Sequence, residues 1–154
     1  ISEMTQIVYG ENNDHIDAIP IKPVSAYVDV DYELPGCPME KTEFLEIVKS
    51  LVMGKRPYSA QYSVCGECKA LENICLLKEG KFCMGPVTQA GCNALCPSNG
   101  AVCEGCRGPA PEANWAAEVK ILKKIGATPE DVRRKFLKYC PSVAEMPEFK
   151  ELEF

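Results

Sequence analysis

Apolar and polar residues alternate in one stretch of this chain and recur at helical spacing in three others. Ser25–Ala26–Tyr27–Val28–Asp29–Val30–Asp31–Tyr32 alternates, with β-branched and aromatic side chains, and this predicts a strand. Its lead-in, residues 18–23, carries Pro20 and Pro23 and is too proline-rich for a central strand. The tight turn Leu34–Pro35–Gly36–Cys37–Pro38 follows. It opens a helix with Phe44, Leu45, Ile47, Val48, Leu51 and Val52 at helical spacing and Gly54 as its stop. A strand, a Gly/Pro turn and a helix form one unit of an α/β sheet. One such unit does not complete a sheet, so the remainder is expected upstream of Ile1. Near the other end, a helix is predicted from Glu112 to Ile125, with Trp115, Val119 and Leu122 on one face and Gly126 as its stop. The next helix has strong start signals: Thr128 as N-cap, Pro129 in the first position, and Glu130 and Asp131 at the positive end of the helix dipole. It carries Val132, Phe136 and Leu137 and ends at Pro141, and the acidic tail beyond is expected to be extended or frayed.

Residues 65–106 follow neither period. Eight of the chain's ten cysteines fall there, among glycines and prolines and without a long apolar run. Such a stretch cannot fold around a core of its own and needs cross-links: disulfides, zinc or iron–sulfur clusters. The rest of the composition is that of a soluble protein of 154 residues, 46% hydrophobic and 25% charged, with a net charge of −5. An acidic balance without a basic run argues against nucleic acid. The sequence has no apolar stretch of membrane-spanning length and no basic-then-apolar start of a secretory signal. A cytoplasmic location is therefore expected, where clustered cysteines are more often metal sites than disulfides.

The spacings divide the cysteines into two quartets, Cys65/Cys68/Cys75/Cys83 and Cys92/Cys96/Cys103/Cys106. Each holds one pair with two residues between its members, which lets neighbouring thiolates turn toward one centre. Two four-thiolate zinc sites would use all eight. Zinc ribbons, however, usually show two close pairs separated by a spacer, and the first quartet has one close pair and two single cysteines. The corners of a cubane suit that spread, since each iron takes one thiolate. Gly66, Gly85, Pro86, Gly91, Pro97 and Gly105 beside the cysteines would let backbone approach a cluster. Spacing thus favours iron–sulfur over zinc and leaves zinc open.

Leu34–Pro35–Gly36–Cys37–Pro38, Phe82–Cys83–Met84–Gly85–Pro86–Val87–Thr88, Cys92 and Cys103–Glu104–Gly105–Cys106 together resemble the small, electron-transferring subunit of nickel–iron hydrogenases. The likeness is to the soluble kind, the sulfhydrogenase delta and methyl-viologen-reducing (F420-non-reducing) iron–sulfur subunits, and it covers residues 25 to about 110. The resemblance implies the end of a flavodoxin-like α/β domain followed by a loop-rich cluster domain with flanking helices, an α+β and partly irregular fold. It implies that Cys37 is one ligand of a proximal 4Fe–4S cluster. Cys65, Cys68, Cys75 and Cys83 would hold a distal 4Fe–4S cluster, and Cys92, Cys96, Cys103 and Cys106 a medial one. Many relatives have His where Cys65 stands. Relatives with a 3Fe–4S medial cluster have Pro where Cys96 stands, so a full 4Fe–4S cluster is implied. The family's other proximal ligands lie upstream of the turn, but no cysteine precedes Cys37. The chain is therefore expected to be the C-terminal part of a longer polypeptide, with the third cluster complete only when that segment is present.

The implied partners are a nickel–iron large subunit and a downstream redox subunit or soluble carrier. The chain would relay electrons and perform no active-site chemistry of its own. The expected domains are 1–54 (the end of the flavodoxin-like domain), a linker at 55–64, a double-cluster domain at 65–111 and a helical region at 112–154. The alternatives are a structural double-zinc module and a dicluster ferredoxin-like subunit of another oxidoreductase. Cys140 is expected to be a structural thiol, His15 a solvated loop residue, and Trp115 and Phe136 helix-packing residues. The polar run from Glu11 to Asp17 lacks the glycine and terminal glutamate of a calcium loop. Lys55, Arg56 and Arg107 are expected on the solvated surface, with a place near anionic clusters or a partner as the alternative. Met39, Phe44 and Leu45 either pack in the core or face the large subunit.

Overall fold

A computed structural model describes residues 2–11, 22, 24–140, 143–144 and 150. The chain divides into two compact units, Ile1–Glu33 and Leu34–Phe154. In the first unit, helix α1 spans Ser2–Tyr9, and a single 3-10 turn spans Val24–Ala26. The Tyr27 and Val28 amides both donate to Val24 O, at 3.0 and 3.2 Å. The alternating stretch 25–32 therefore begins as a tight turn and does not form the expected strand. A strand needs a neighbour to take its amides and carbonyls, and no named strand occurs among the described residues. The Glu11–Asp17 run, apart from Glu11, and with it His15, lies outside the described residues.

The second unit opens with helix α2, Lys41–Val52. The Glu40 side chain caps its start by accepting the Glu43 amide at 2.7 Å. The end is a Schellman motif: Lys55 N donates to Ser50 O and Gly54 N to Leu51 O, each at 2.9 Å, with Gly54 at φ +66°. Both boundaries match the expectation. The apolar face does not go inward, however, because only Ile47 is buried. Met39, Phe44 and Leu45 are 53%, 43% and 55% exposed, which removes them from the core.

Residues 55–64 end in pairing. The backbone at 87–90 runs between two flanking segments. Val64 N donates to Thr88 O and Ala90 N to Tyr62 O on one side; Gln89 N donates to Gly108 O and Ala110 N to Val87 O on the other. The antiparallel bridges Ser63–Gln89 and Thr88–Pro109 mark the two seams. This three-ply centre places α3 (Val64–Ala70) beside the short α4 (Leu95–Ser98) and the loop of Cys103 and Cys106.

The core is shared between the cysteine-rich stretch and the C-terminal helices α5 (Trp115–Lys124) and α6 (Pro129–Leu137). Val64, Met84, Val87, Cys83 and Cys103 bury against Trp115, Val119, Leu122, Val132 and Phe136. α5 starts three residues later than expected because Asn114 caps it, accepting the Ala117 amide at 2.9 Å. α6 starts where its signals place it, with a reciprocal capping box between Thr128 and Asp131. Trp115 and Phe136 meet edge to face at 5.2 Å, so they pack the helices together as expected. Among the described residues, no helix is long and apolar enough to cross a membrane.

Candidate metal centre

Helix α3 carries Cys65 and Cys68, both half-buried, one turn apart on the same helix. Cys75 follows in an exposed loop entered through Glu72 at φ +55°. Cys83 returns to the interior and is buried. Burial pushes the Cys65 thiol up to about 12, and the thiols that add to the rise are Cys83, Cys68 and Cys75, the other members of its quartet.

In the second quartet, Cys92 is half-buried, Cys96 is exposed on α4, Cys103 is buried and Cys106 is half-buried. Burial raises the Cys103 thiol to about 12, with the Thr88 hydroxyl and the Gly105 amide opposing and Cys83 and Cys92 reinforcing the rise. Burial raises Cys92 as well, against hydrogen bonds from the Leu95 and Ala94 amides. Raised values belong to thiols without a cation. A bound metal reverses the balance and takes the thiolate.

The quartets interlock. Cys103 N donates to Cys83 Sγ at 3.3 Å, and Met84 N donates to Cys103 O at 2.8 Å. Glu67, between Cys65 and Cys68, accepts the amides of Gly91 at 2.8 Å and Ala94 at 3.0 Å, on either side of Cys92. Asn73 Nδ2 donates to Ser98 Oγ at 2.9 Å, joining the loop before Cys75 to the helix of Cys96. Among the described residues, no disulfide links the cysteines. Nor do any three Cys, His, Asp or Glu side chains there converge as tightly as a single metal ion requires.

The donor set fits a larger inorganic centre. A Cβ on Gly85 would stand 3.3 Å from Cys65 Sγ, 3.6 Å from Cys83 Sγ and 3.9 Å from Cys103 Cβ, so glycine lets the backbone come close to both sulfurs and a side chain there would press on Cys65. The Gly85 and Cys103 amides both aim at Cys83 Sγ, as ligand-tuning amides do at cluster sites.

Cys37 is exposed in the Leu34–Pro38 turn. Its turn is tied to the second quartet by Arg107, which is only 4% exposed, correcting the expectation of a solvated arginine. Arg107 forms a bidentate pair with Glu43, 2.7 Å on each arm, and donates to Ala90 O at 3.0 Å and Pro35 O at 2.9 Å. Burial works against its charge, but Glu43 more than offsets this and holds the guanidinium above its ordinary range. Lys55 and Arg56 are exposed as expected. Cys140 packs against the core, with its Sγ 3.9 Å from where a Cβ on Gly108 would stand. Three glutamates placed beside the cysteine loops or inside the core escape the sequence pattern: Glu43, Glu67 and Glu118. Glu118 on α5 is 1% exposed, and neither carboxylate oxygen has a hydrogen-bond partner among the described residues. An arginine directly after a ligand-spaced cysteine, and a glutamate inside a two-residue cysteine gap, were the available signals.

No protein-family model matches the chain. Individual relatives do. It is 43% identical over 129 residues to the sulfhydrogenase 2 subunit delta of Pyrococcus furiosus, covering 83% of this chain and 54% of that protein. It is 32% identical over 140 residues to a vhu F420-non-reducing hydrogenase subunit of Methanococcus voltae, covering 71% and 49%. To the F420-non-reducing hydrogenase iron-sulfur subunit of Archaeoglobus profundus it is 31% identical over 156 residues, covering 82% and 48%. The chain spans about half the length of these curated relatives. The likeness read from the turn of Cys37 and the spacing of the cysteines is thus borne out, and the chain belongs to the family of hydrogenase iron–sulfur subunits that includes sulfhydrogenase delta and its F420-non-reducing hydrogenase counterparts.

Proposed function

We propose that this chain relays electrons within a hydrogenase through two 4Fe–4S clusters, one on Cys65, Cys68, Cys75 and Cys83 and one on Cys92, Cys96, Cys103 and Cys106. Cys37 would be one ligand of a third cluster, completed by residues outside this chain, at the end of a flavodoxin-like domain. The observation that carries the reading is the meeting of Cys65, Cys83 and Cys103 around Gly85, where a Cβ would lie 3.3 Å from Cys65 Sγ, 3.6 Å from Cys83 Sγ and 3.9 Å from Cys103 Cβ. When bound, the clusters supply reversible one-electron chemistry. The chain's residues do the rest. The Gly85 and Cys103 amides donate to Cys83 Sγ and favour its anionic form. Met84, Val87 and Trp115 exclude water from the buried side. Glu67 and Glu104 hold the ligand loops to α3 and α6; Glu104, between Cys103 and Cys106, accepts from Lys135 at 2.6 Å and Lys138 at 2.9 Å.

The partners this reading requires are a nickel–iron large subunit near Cys37 and an external acceptor or redox subunit beyond the other clusters. The exposed Met39, Phe44 and Leu45 would face the large subunit. A reducing cytoplasmic compartment suits thiolate ligation. Iron and acid-labile sulfide analysis of anaerobically purified protein tests the assignment. About eight iron atoms per chain on the two quartets, with visible absorption bleached by dithionite, is the expected result. About two zinc ions and no iron would replace it with the structural zinc module.

A further inference from the structure

We infer that Arg107 is a positioning residue: it locks the Cys37 turn onto the loops of Cys92 and Cys106 and so sets the gap between the centre at Cys37 and that of the second quartet. The inference rests on the ligand assignments proposed above and adds to them the part that fixes their separation. The Arg107 side chain is 2% exposed, and all three of its nitrogens are used. Nε donates to Ala90 O, two residues before Cys92; Nη1 donates to Pro35 O, two residues before Cys37; both Nη atoms grip Glu43. Arg107 itself follows Cys106 directly. Three cysteine loops, separated by as many as 72 residues in the chain, thus meet on one guanidinium.

Two glycines make the arrangement possible. A Cβ on Gly91, at φ +123°, would collide with Arg107 Nη2 and lie 2.8 Å from Glu43 Oε1. A Cβ on Gly36, at φ +137°, would lie 3.0 Å from Pro38 O and 3.6 Å from Arg107 Nη1. Each glycine adjoins a proposed ligand, Cys37 or Cys92. A buried ion pair is a weak source of net stability compared with apolar packing, but its forked geometry admits one arrangement of its partners. Lysine, with one ammonium, cannot satisfy the carboxylate and both carbonyls in the same plane. Electron transfer falls off exponentially with the gap between centres, so a fixed gap is where such geometry would matter.

The test uses the whole hydrogenase complex, purified anaerobically, carrying R107K, E43Q or C37S. Iron content, the spin–spin coupling between reduced centres in electron paramagnetic resonance, and the intramolecular transfer rate are measured. In R107K the iron content should stay at the wild-type level. The coupling involving the Cys37 centre should broaden and weaken, and transfer should slow on the order of tenfold. E43Q, which keeps one acceptor for the fork, should fall between. Unchanged coupling and rate in R107K, with a coupled signal that C37S abolishes, overturns the inference alone. Loss of iron in both R107K and E43Q also overturns it, leaving the pair as a support for the ligand loops. A coupled signal that survives C37S overturns the ligand assignment of Cys37 and the inference with it.

Discussion

Glu67 accepts the backbone N–H of Gly91 at 2.8 Å, so the helix that carries Cys65 and Cys68 also holds the loop that carries Cys92. The second carboxylate oxygen takes the Ala94 amide at 3.0 Å. Between these anchors the chain passes through left-handed backbone at Asn93 (φ +52°) and Ala94 (φ +46°), a conformation that costs a residue with a Cβ roughly 1–2 kcal/mol. The carboxylate offsets that strain with two charge-assisted hydrogen bonds. Removing it in E67A strands both part-buried amides, at a cost of up to about 1–3 kcal/mol each. The expected outcome is iron loss confined to the second quartet, so that iron per chain falls by roughly half while the first quartet's signal persists. E67Q keeps an acceptor for one amide and should lose less. Full iron occupancy in E67A would show that the loop holds its shape without the carboxylate.

Gly85 offers a cleaner separation of fold from cofactor. Its backbone is not left-handed, so alanine meets no φ penalty there. The added methyl would sit 3.3 Å from Cys65 Sγ, and a lone thiol can rotate away from it. A thiolate bound to iron cannot. G85A should therefore leave the metal-free chain nearly as stable as the wild type while lowering iron occupancy of the first quartet or shifting its reduction potential. Titration of both proteins with dithionite, beside iron analysis, reads this directly. Identical potential and occupancy would mean that the space beside Cys65 is not lined by a cluster.

What was legible in the sequence was local. The start of α6 could be read because Thr128, Pro129 and Asp131 act within one turn of each other, and the capping box forms there. The Gly54 stop of α2 was legible for the same reason. The family likeness was legible because the Cys37 turn and the cysteine spacings are themselves sequence properties, and the relatives bear that likeness out. Arg107 was misread because its partners lie 17, 64 and 72 residues away, and nothing in the neighbourhood of an arginine announces a distant glutamate. The strand expected at 25–32 failed for a related reason. Alternation describes one edge of a ladder, and the partner that would complete it is absent among the described residues. What covers the face of α2 could not be read, since periodicity shows that a face exists but not that this unit covers it, and Met39, Phe44 and Leu45 prove exposed.

Phe136 tests whether the cysteine-rich stretch depends on the C-terminal helices. It is 4% exposed and packs edge to face on Trp115, in a core shared with Cys83 and Cys103. F136A should destabilise the unit by about 3–5 kcal/mol, the usual cost of truncating a buried phenylalanine. The chain's single tryptophan is that partner, so intrinsic fluorescence reports the change without a label. A red-shifted emission and a lower urea midpoint are expected. An unaltered midpoint would mean that the cluster stretch stands without α6.

Glu118 gives a pH dependence with a definite sign. Burial alone pushes its carboxyl from the usual 4.5 up to about 8, and neither oxygen finds a hydrogen-bond donor among the described residues. In the unfolded chain the same group ionises near 4.5. Below that pH both states hold the proton, and Glu118 adds no penalty. Between about 4.5 and 8 the unfolded chain has released its proton while the folded chain retains it, so rising pH favours unfolding by about 1.4 kcal/mol per pH unit from this one group. Above 8 both states are ionised and the loss levels off. The dependence is opposite to that of Glu104, whose carboxyl is lowered by Lys135 and Lys138 against its burial and whose contribution is lost as pH falls. E118Q removes the ionisation while keeping the side chain's size. It should bring little change at about pH 5 and a clear gain in urea midpoint at about pH 8. The comparison is made anaerobically on metal-free protein, so that cysteine ligation does not enter the difference. Parallel curves for wild type and E118Q across this range would mean that Glu118 is hydrated or paired in solution and that its burial is not what the fold implies.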